Sequence, residues 1–129
     1  MPVTFYFAAM LAIFYLYLSF KVIFIRKEVQ VAIGDGGSDK LARAIRVHAN
    51  FSEYVPLTLL LLYFLETQNA NAMVISVLGG LLLVARVVHA YGVSEVDEQL
   101  KFRIFGMFTT MGVIIVSALY LLLIGVGLV

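Results

Sequence analysis

The stretch Ala44 to Pro56, AIRVHANFSEYVP, sets ionisable and hydrogen-bonding side chains inside a segment long enough to cross a membrane. A helix turns about 100° per residue, so Arg46, Asn50 and Glu53 fall within about 60° of one another. Arg43 and Tyr54 flank that stripe, while His48 and Ser52 lie on nearly the opposite side as a second polar strip. Ionisable groups are costly in hydrocarbon and persist there when they face protein, water or a bound ligand. Other segments add Arg26, Arg86 with His89, and Arg103. Cations in excess around one embedded acid, Glu53, suit an anionic ligand.

The elements that must position these residues are four apolar runs. With 129 residues the chain has room for one domain. Its 63% hydrophobic content and mean hydropathy of +1.03 put it in the membrane class. Val3 to Ile25 is nearly unbroken apolar sequence, and the first helix is expected over 3–27. Its start, Met1-Pro2-Val3-Thr4, is not basic and its cations come at the far end, which reads as a retained anchor rather than a cleaved signal. The glycine cluster Gly34-Asp35-Gly36-Gly37-Ser38 reads as a turn, because it lacks the Gly-Lys-Ser/Thr ending of a phosphate loop. Asp39 is the expected cap of a second helix over 40–66. Pro56 should bend that helix near Glu53. A third helix is expected over 72–91, with Gly79-Gly80 marking close helix approach and Gly92 ending it. The fourth is expected over 100–128, with Arg103, Gly106, Thr110 and Ser117 on one inward face. Four spans with short links give an all-α, up-down-up-down membrane bundle forming a single domain over 1–129.

Several classes of function are excluded. A net charge of +1 without a basic arm gives no nucleic-acid partner. With no cysteine there is no disulfide, thiolate nucleophile or thiolate metal site, so any nucleophile must arrive with a ligand. Two histidines and one glutamate at unrelated spacing make no metal set.

All nine Lys and Arg residues, from Lys21 to Arg103, lie toward the side of the first and third loops. The positive-inside rule makes loops 28–39 and 92–99 cytoplasmic, with both termini on the opposite side. Four helices thus bring cations to one membrane level. Blander roles stand beside the ligand site: arginines near helix ends snorkel to headgroups, and Glu53 can pair with Arg46 or Arg86 to hold the bundle.

The pattern Arg46-x-His48-x-Asn50-x-x-Glu53-Tyr54-x-Pro56, followed by Arg86-x-x-His89 and then Arg103, resembles the MAPEG superfamily, the membrane-associated proteins in eicosanoid and glutathione metabolism. The resemblance covers essentially the whole chain, including the Tyr17-x-Ser19 to Arg26-Lys27 end of the first helix, and is greatest to short bacterial members. It implies a homotrimer in a bacterial inner membrane, with glutathione as co-substrate held between subunits near the cytoplasmic side. By position, Arg26, Arg46, His48, Asn50, Glu53 and Tyr54 match residues that hold glutathione. His89 stands where other members carry Tyr or His, and Arg103 matches the arginine that stabilises the thiolate. Val93 stands where several catalytic members have a second tyrosine, and Tyr91 is the nearby alternative.

The implied chemistry is physically sound. A thiol of pKa ~8.5 is only a few per cent ionised at neutral pH. Lowering it by about two units takes roughly 2.7 kcal/mol of differential stabilisation. A guanidinium in a partly dry pocket can supply that, with the helix-two stripe positioning the tripeptide and a lipophilic electrophile arriving from the lipid. Two other classes stay open: a non-catalytic membrane protein that binds lipid or a partner in the same inter-subunit groove, and a purely structural bundle.

Overall fold

The computed structural model describes residues 2–128; Met1, part of the non-basic start, lies outside the described residues. Four helices follow one another: α1 (Thr4–Val29), α2 (Asp39–Thr67), α3 (Ala72–Ser94) and α4 (Leu100–Gly125). Helices α1, α3 and α4 are each long and apolar enough to cross a membrane. The polar first half of α2, with Asp39, Lys40, Arg43, Arg46 and Glu53, holds that helix below the same apolar standard, although at 29 residues it is the longest.

Helices α2 and α3 form the centre. Each packs on the other and on both outer helices, whereas α1 and α4 do not touch among the described residues. One face of α1 supplies Leu11 and Leu18, which meet Val47, Phe51, Val55 and Leu62 of α2 and Leu78 and Leu82 of α3 in the core. The outward faces of α1 and α4 remain apolar, with Ile13, Phe24, Phe108 and Leu122 exposed, as lipid-facing helices require. The charged end of the bundle holds the α1–α2 and α3–α4 loops. At the opposite end the Glu66 carboxylate accepts from the Val3 and Thr4 amides, satisfying the start of α1 from the end of α2.

Local detail differs from the sequence expectations at four points. Ser38, not Asp39, caps α2: its hydroxyl accepts from Leu41 N–H at 3.2 Å, and Asp39 pairs instead with Arg43 at 3.0 Å. Pro56 lies inside α2 without ending it, as expected of a single second span. Helix α3 runs through Gly92 to Ser94, because that glycine is used for packing: a Cβ there would lie 2.8 Å from Phe102 Cβ. Of the Gly79-Gly80 pair only Gly79 admits a neighbour, the Phe7 ring of α1, and Gly80 meets nothing. At the far end, α4 stops at Gly125, short of the expected residue 128, and Gly127 turns the chain with φ 72°.

Candidate functional site

The single polar stripe expected on α2 divides among three neighbours. Asn50 turns inward and is buried. Its Oδ1 accepts from Nη2 of Arg86 at 2.5 Å. Arg86 is only 1% exposed, and its guanidinium also reaches Thr110 Oγ1 at 3.4 Å and His89 Nδ1 at 3.3 Å. The Phe51 ring centroid lies 5.9 Å from it. Among the described residues no carboxylate comes within 4.0 Å of Arg86, and its Nε is unpartnered. The centre of the bundle therefore contains a cation held by neutral acceptors alone.

Close backbone approach builds this network. Gly106 of α4 sits where a Cβ would come within 2.5 Å of His89 Cβ and 2.7 Å of the Ala85 carbonyl oxygen. Only glycine lets α4 close on α3 at the level of His89. One turn on, Thr110 donates its hydroxyl to the Gly106 carbonyl at 2.7 Å and presents Oγ1 to Arg86.

Arg46 and Glu53 stay outside. They pair with each other at 3.2 Å, two turns apart on α2, with side chains 54% and 48% exposed. On the other face of α2, His48 turns to α1. Its Nε2 is 3.0 Å from Ser19 Oγ, its ring stacks on Tyr15 with centroids 4.7 Å apart, and Ser52 donates to Tyr15 Oη at 3.4 Å. Tyr54 is half-buried and its carbonyl accepts from the Thr58 hydroxyl.

At the charged rim, Glu98 of the α3–α4 loop joins Arg43 of α2 at 2.9 Å to Arg103 of α4 at 3.5 Å. The Arg43 hydrogen bond, followed by the Arg103 charge, holds the Glu98 carboxyl below its usual range. Arg103 itself is half-exposed at the start of α4. Arg26 folds back over the end of α1, donating to the Gly34 carbonyl at 2.8 Å and reaching the Val31 carbonyl at 3.4 Å, and so orders the glycine-rich loop.

Within one chain the expected site residues therefore occupy separate places. Asn50 and His89 come together in the Arg86 network, Arg46 joins Glu53, and His48, Arg26 and Arg103 each stand apart. Sequence reasoning placed Arg86 near this level but did not assign it Asn50 and Thr110 as partners. Glu98 carried no expectation from the sequence, although its place five residues before Arg103 is a signal for this ion pair.

The MAPEG family model matches residues 4–123. The chain belongs to the MAPEG family. It is 37% identical over 86 residues to the inner membrane protein YecN of Escherichia coli K12, and equally to YecN of Escherichia coli O6:H1. Those matches cover 67% of this chain and 66%, just under two thirds, of each relative. No solved structure matches it. MAPEG membership, the inner-membrane relatives and the apolar helices together make this an integral membrane protein.

At the position where several catalytic MAPEG members carry a second tyrosine, Val93 is buried, with its carbonyl accepting from Arg43. The Tyr91 ring lies nearly opposite His89 on α3, exposed beside the α1–α3 groove and edge-on to Phe102 of α4 with centroids 5.6 Å apart.

Proposed function

We propose that this MAPEG protein is a glutathione-dependent transferase or peroxidase acting on a lipophilic electrophile, and that it works as a homotrimer. The supporting observation is the Arg46–Glu53 pair. Glu53 lies fourteen residues after Asp39, about 21 Å along α2, near the middle of a membrane-length helix. A half-exposed carboxylate at that depth has no stable place against lipid tails. A neighbouring subunit and an anionic, amine-bearing tripeptide between the two chains meet this requirement. By charge, Glu53 takes the amine and Arg46 a carboxylate, both being residues that the family resemblance puts among those holding glutathione. His48, Tyr54 and Arg26 complete the binding set from the two sides of the interface, while Asn50 and His89, buried on Arg86, support it from behind.

Arg103 is assigned the thiolate. Among the described residues it is the one cation of this end that is both half-exposed and held by a single long contact, 3.5 Å to a carboxylate that Arg43 already holds at 2.9 Å. It can therefore turn to a sulfur at little expense. The positive-inside rule places this end in the cytoplasm, where glutathione is supplied.

The second reading is a non-catalytic binding protein using the same groove, and the burial of Val93 in place of a tyrosine favours it. Arg103→Ala separates the two. Loss of turnover with glutathione binding retained supports catalysis, and unchanged turnover removes the assigned role. Glu53→Ala should abolish glutathione binding while leaving the trimer intact; dispersal of the trimer would make Glu53 a structural residue.

A further inference from the structure

A second polar site lies on the other side of α3, away from Arg86 and His89. There α1 and α3 enclose a groove of about 310 Å³ at the charged end of the bundle. Lys21 and Glu95 stand at its mouth with Ser94, and the same three residues, joined by Lys40 and Asp97, line an adjoining hollow of about 340 Å³. Two opposite charges thus share one cavity. Yet among the described residues neither has a salt-bridge partner within 4.0 Å or a side-chain hydrogen bond. The space between them suits a ligand carrying both charges.

The groove is also graded with depth. Tyr17 precedes Lys21 by four residues and Tyr91 precedes Glu95 by four, so each wall carries a tyrosine about one turn, or ~6 Å, deeper than its charge. Both tyrosines are more than half exposed. Leu18 and Ala90 form the floor, and Phe14 and Val87 line the groove deeper still. From the mouth inward the order is charge, phenol, hydrocarbon. A phospholipid standing upright in a bilayer has the same order: headgroup, ester linkage, acyl chain.

We infer that this groove binds one phospholipid with a phosphoethanolamine headgroup, its phosphate on Lys21 and its ammonium on Glu95. A primary ammonium donates hydrogen bonds to the carboxylate, which a quaternary ammonium cannot do. A headgroup without an amine leaves Glu95 facing a phosphate of like charge. Tyr17, Tyr91 and Ser94 offer hydroxyl donors to the phosphate and ester oxygens. None of these residues belongs to the proposed glutathione set, so the inference does not rest on that reading.

The test is native mass spectrometry of the detergent-purified full chain, titrated with phosphatidylethanolamine, phosphatidylglycerol and phosphatidylcholine of identical acyl chains. Wild type should retain phosphatidylethanolamine about tenfold better than either of the others, the scale of one charged hydrogen bond. Lys21→Ala should weaken all phospholipid binding. Glu95→Gln should abolish the advantage of phosphatidylethanolamine over phosphatidylglycerol. Circular dichroism confirms that these two variants keep their helix content. Equal retention of the three lipids by wild type, or preferences unchanged in both variants, overturns the proposal. So does cross-linking of two copies through Ser94→Cys in this otherwise cysteine-free chain, which would put a second subunit in the groove.

Discussion

Arg86 is the largest fully buried side chain, and Asn50 is its one short hydrogen-bond partner. Its other polar contacts, at 3.3 to 3.9 Å, are long. Replacing Asn50 by Leu leaves the guanidinium without its main acceptor. A hydrogen bond to a charged group contributes about 1.5–3 kcal/mol, and stranding a buried charge raises the loss toward 3–5 kcal/mol. Asn50→Leu should therefore destabilise the bundle by about 2–4 kcal/mol. Arg86→Met removes the charge, and leaves only the neutral Asn50 amide unpaired, for a loss of about 1–3 kcal/mol. The double variant Asn50→Leu/Arg86→Met has neither orphan, so its loss should fall short of the sum by about 1.5–3 kcal/mol. Unfolding in micelles by a denaturing detergent, followed by far-ultraviolet circular dichroism, measures all four corners of the cycle. Additivity within about 0.5 kcal/mol would refute a direct Asn50–Arg86 contact and with it the account of how this end of the bundle is held.

Two further outcomes follow from the packing and the charged rim. Gly106→Ala should destabilise by about 1–3 kcal/mol, because the added methyl meets the Ala85 carbonyl and the His89 backbone, neither of which can swing aside; a Tm equal to wild type would contradict the close α3–α4 approach. Glu98 has a depressed pKa, so its tie to Arg43 is fully present above the ordinary carboxylate pKa of about 4.5 and is lost as pH falls through the lower folded value. A spin label at Val96 should therefore gain mobility as pH drops below about 4.5 in wild type, and Glu98→Gln should be mobile throughout with no such step; a pH-dependent step that survives the substitution would assign it to another group.

The four helices were legible because their apolar runs are long and the links between them are polar or glycine-rich, so periodicity was not needed to find them. The ends were harder. Ser38 and Asp39 are both good caps, and adjacent in sequence, so only geometry decides between them. Gly92 reads as a helix stop because glycine commonly follows a last turn, but Phe102 across the gap makes it a contact point instead. The stripe on α2 was legible as a stripe, since helical angles depend on one chain segment. Its partition was not. Whether Glu53 joins Arg46 or Arg86 depends on how α3 is rotated about its axis, and sequence spacing carries no such information. The structure gives Glu53 to Arg46, an i,i+7 neighbour already on the same face, and gives Arg86 to Asn50. The inward face expected for α4 was right for Gly106, Thr110 and Ser117, which are buried, while Arg103 one turn earlier reaches the rim and stays exposed. A side chain that long follows solvent and charge more than its Cα direction.

Arg103 is proposed to stabilise the thiolate of a glutathione bound beside the α2 stripe. Ultraviolet absorbance of the thiolate, recorded across pH on the detergent-purified protein with glutathione, tests it most directly. The expected result is thiolate forming well below the pH of a free thiol, ~8.5, with that shift lost in Arg103→Ala while glutathione stays bound. Ionisation at the free-thiol pH, or a shift that persists in Arg103→Ala, would contradict it.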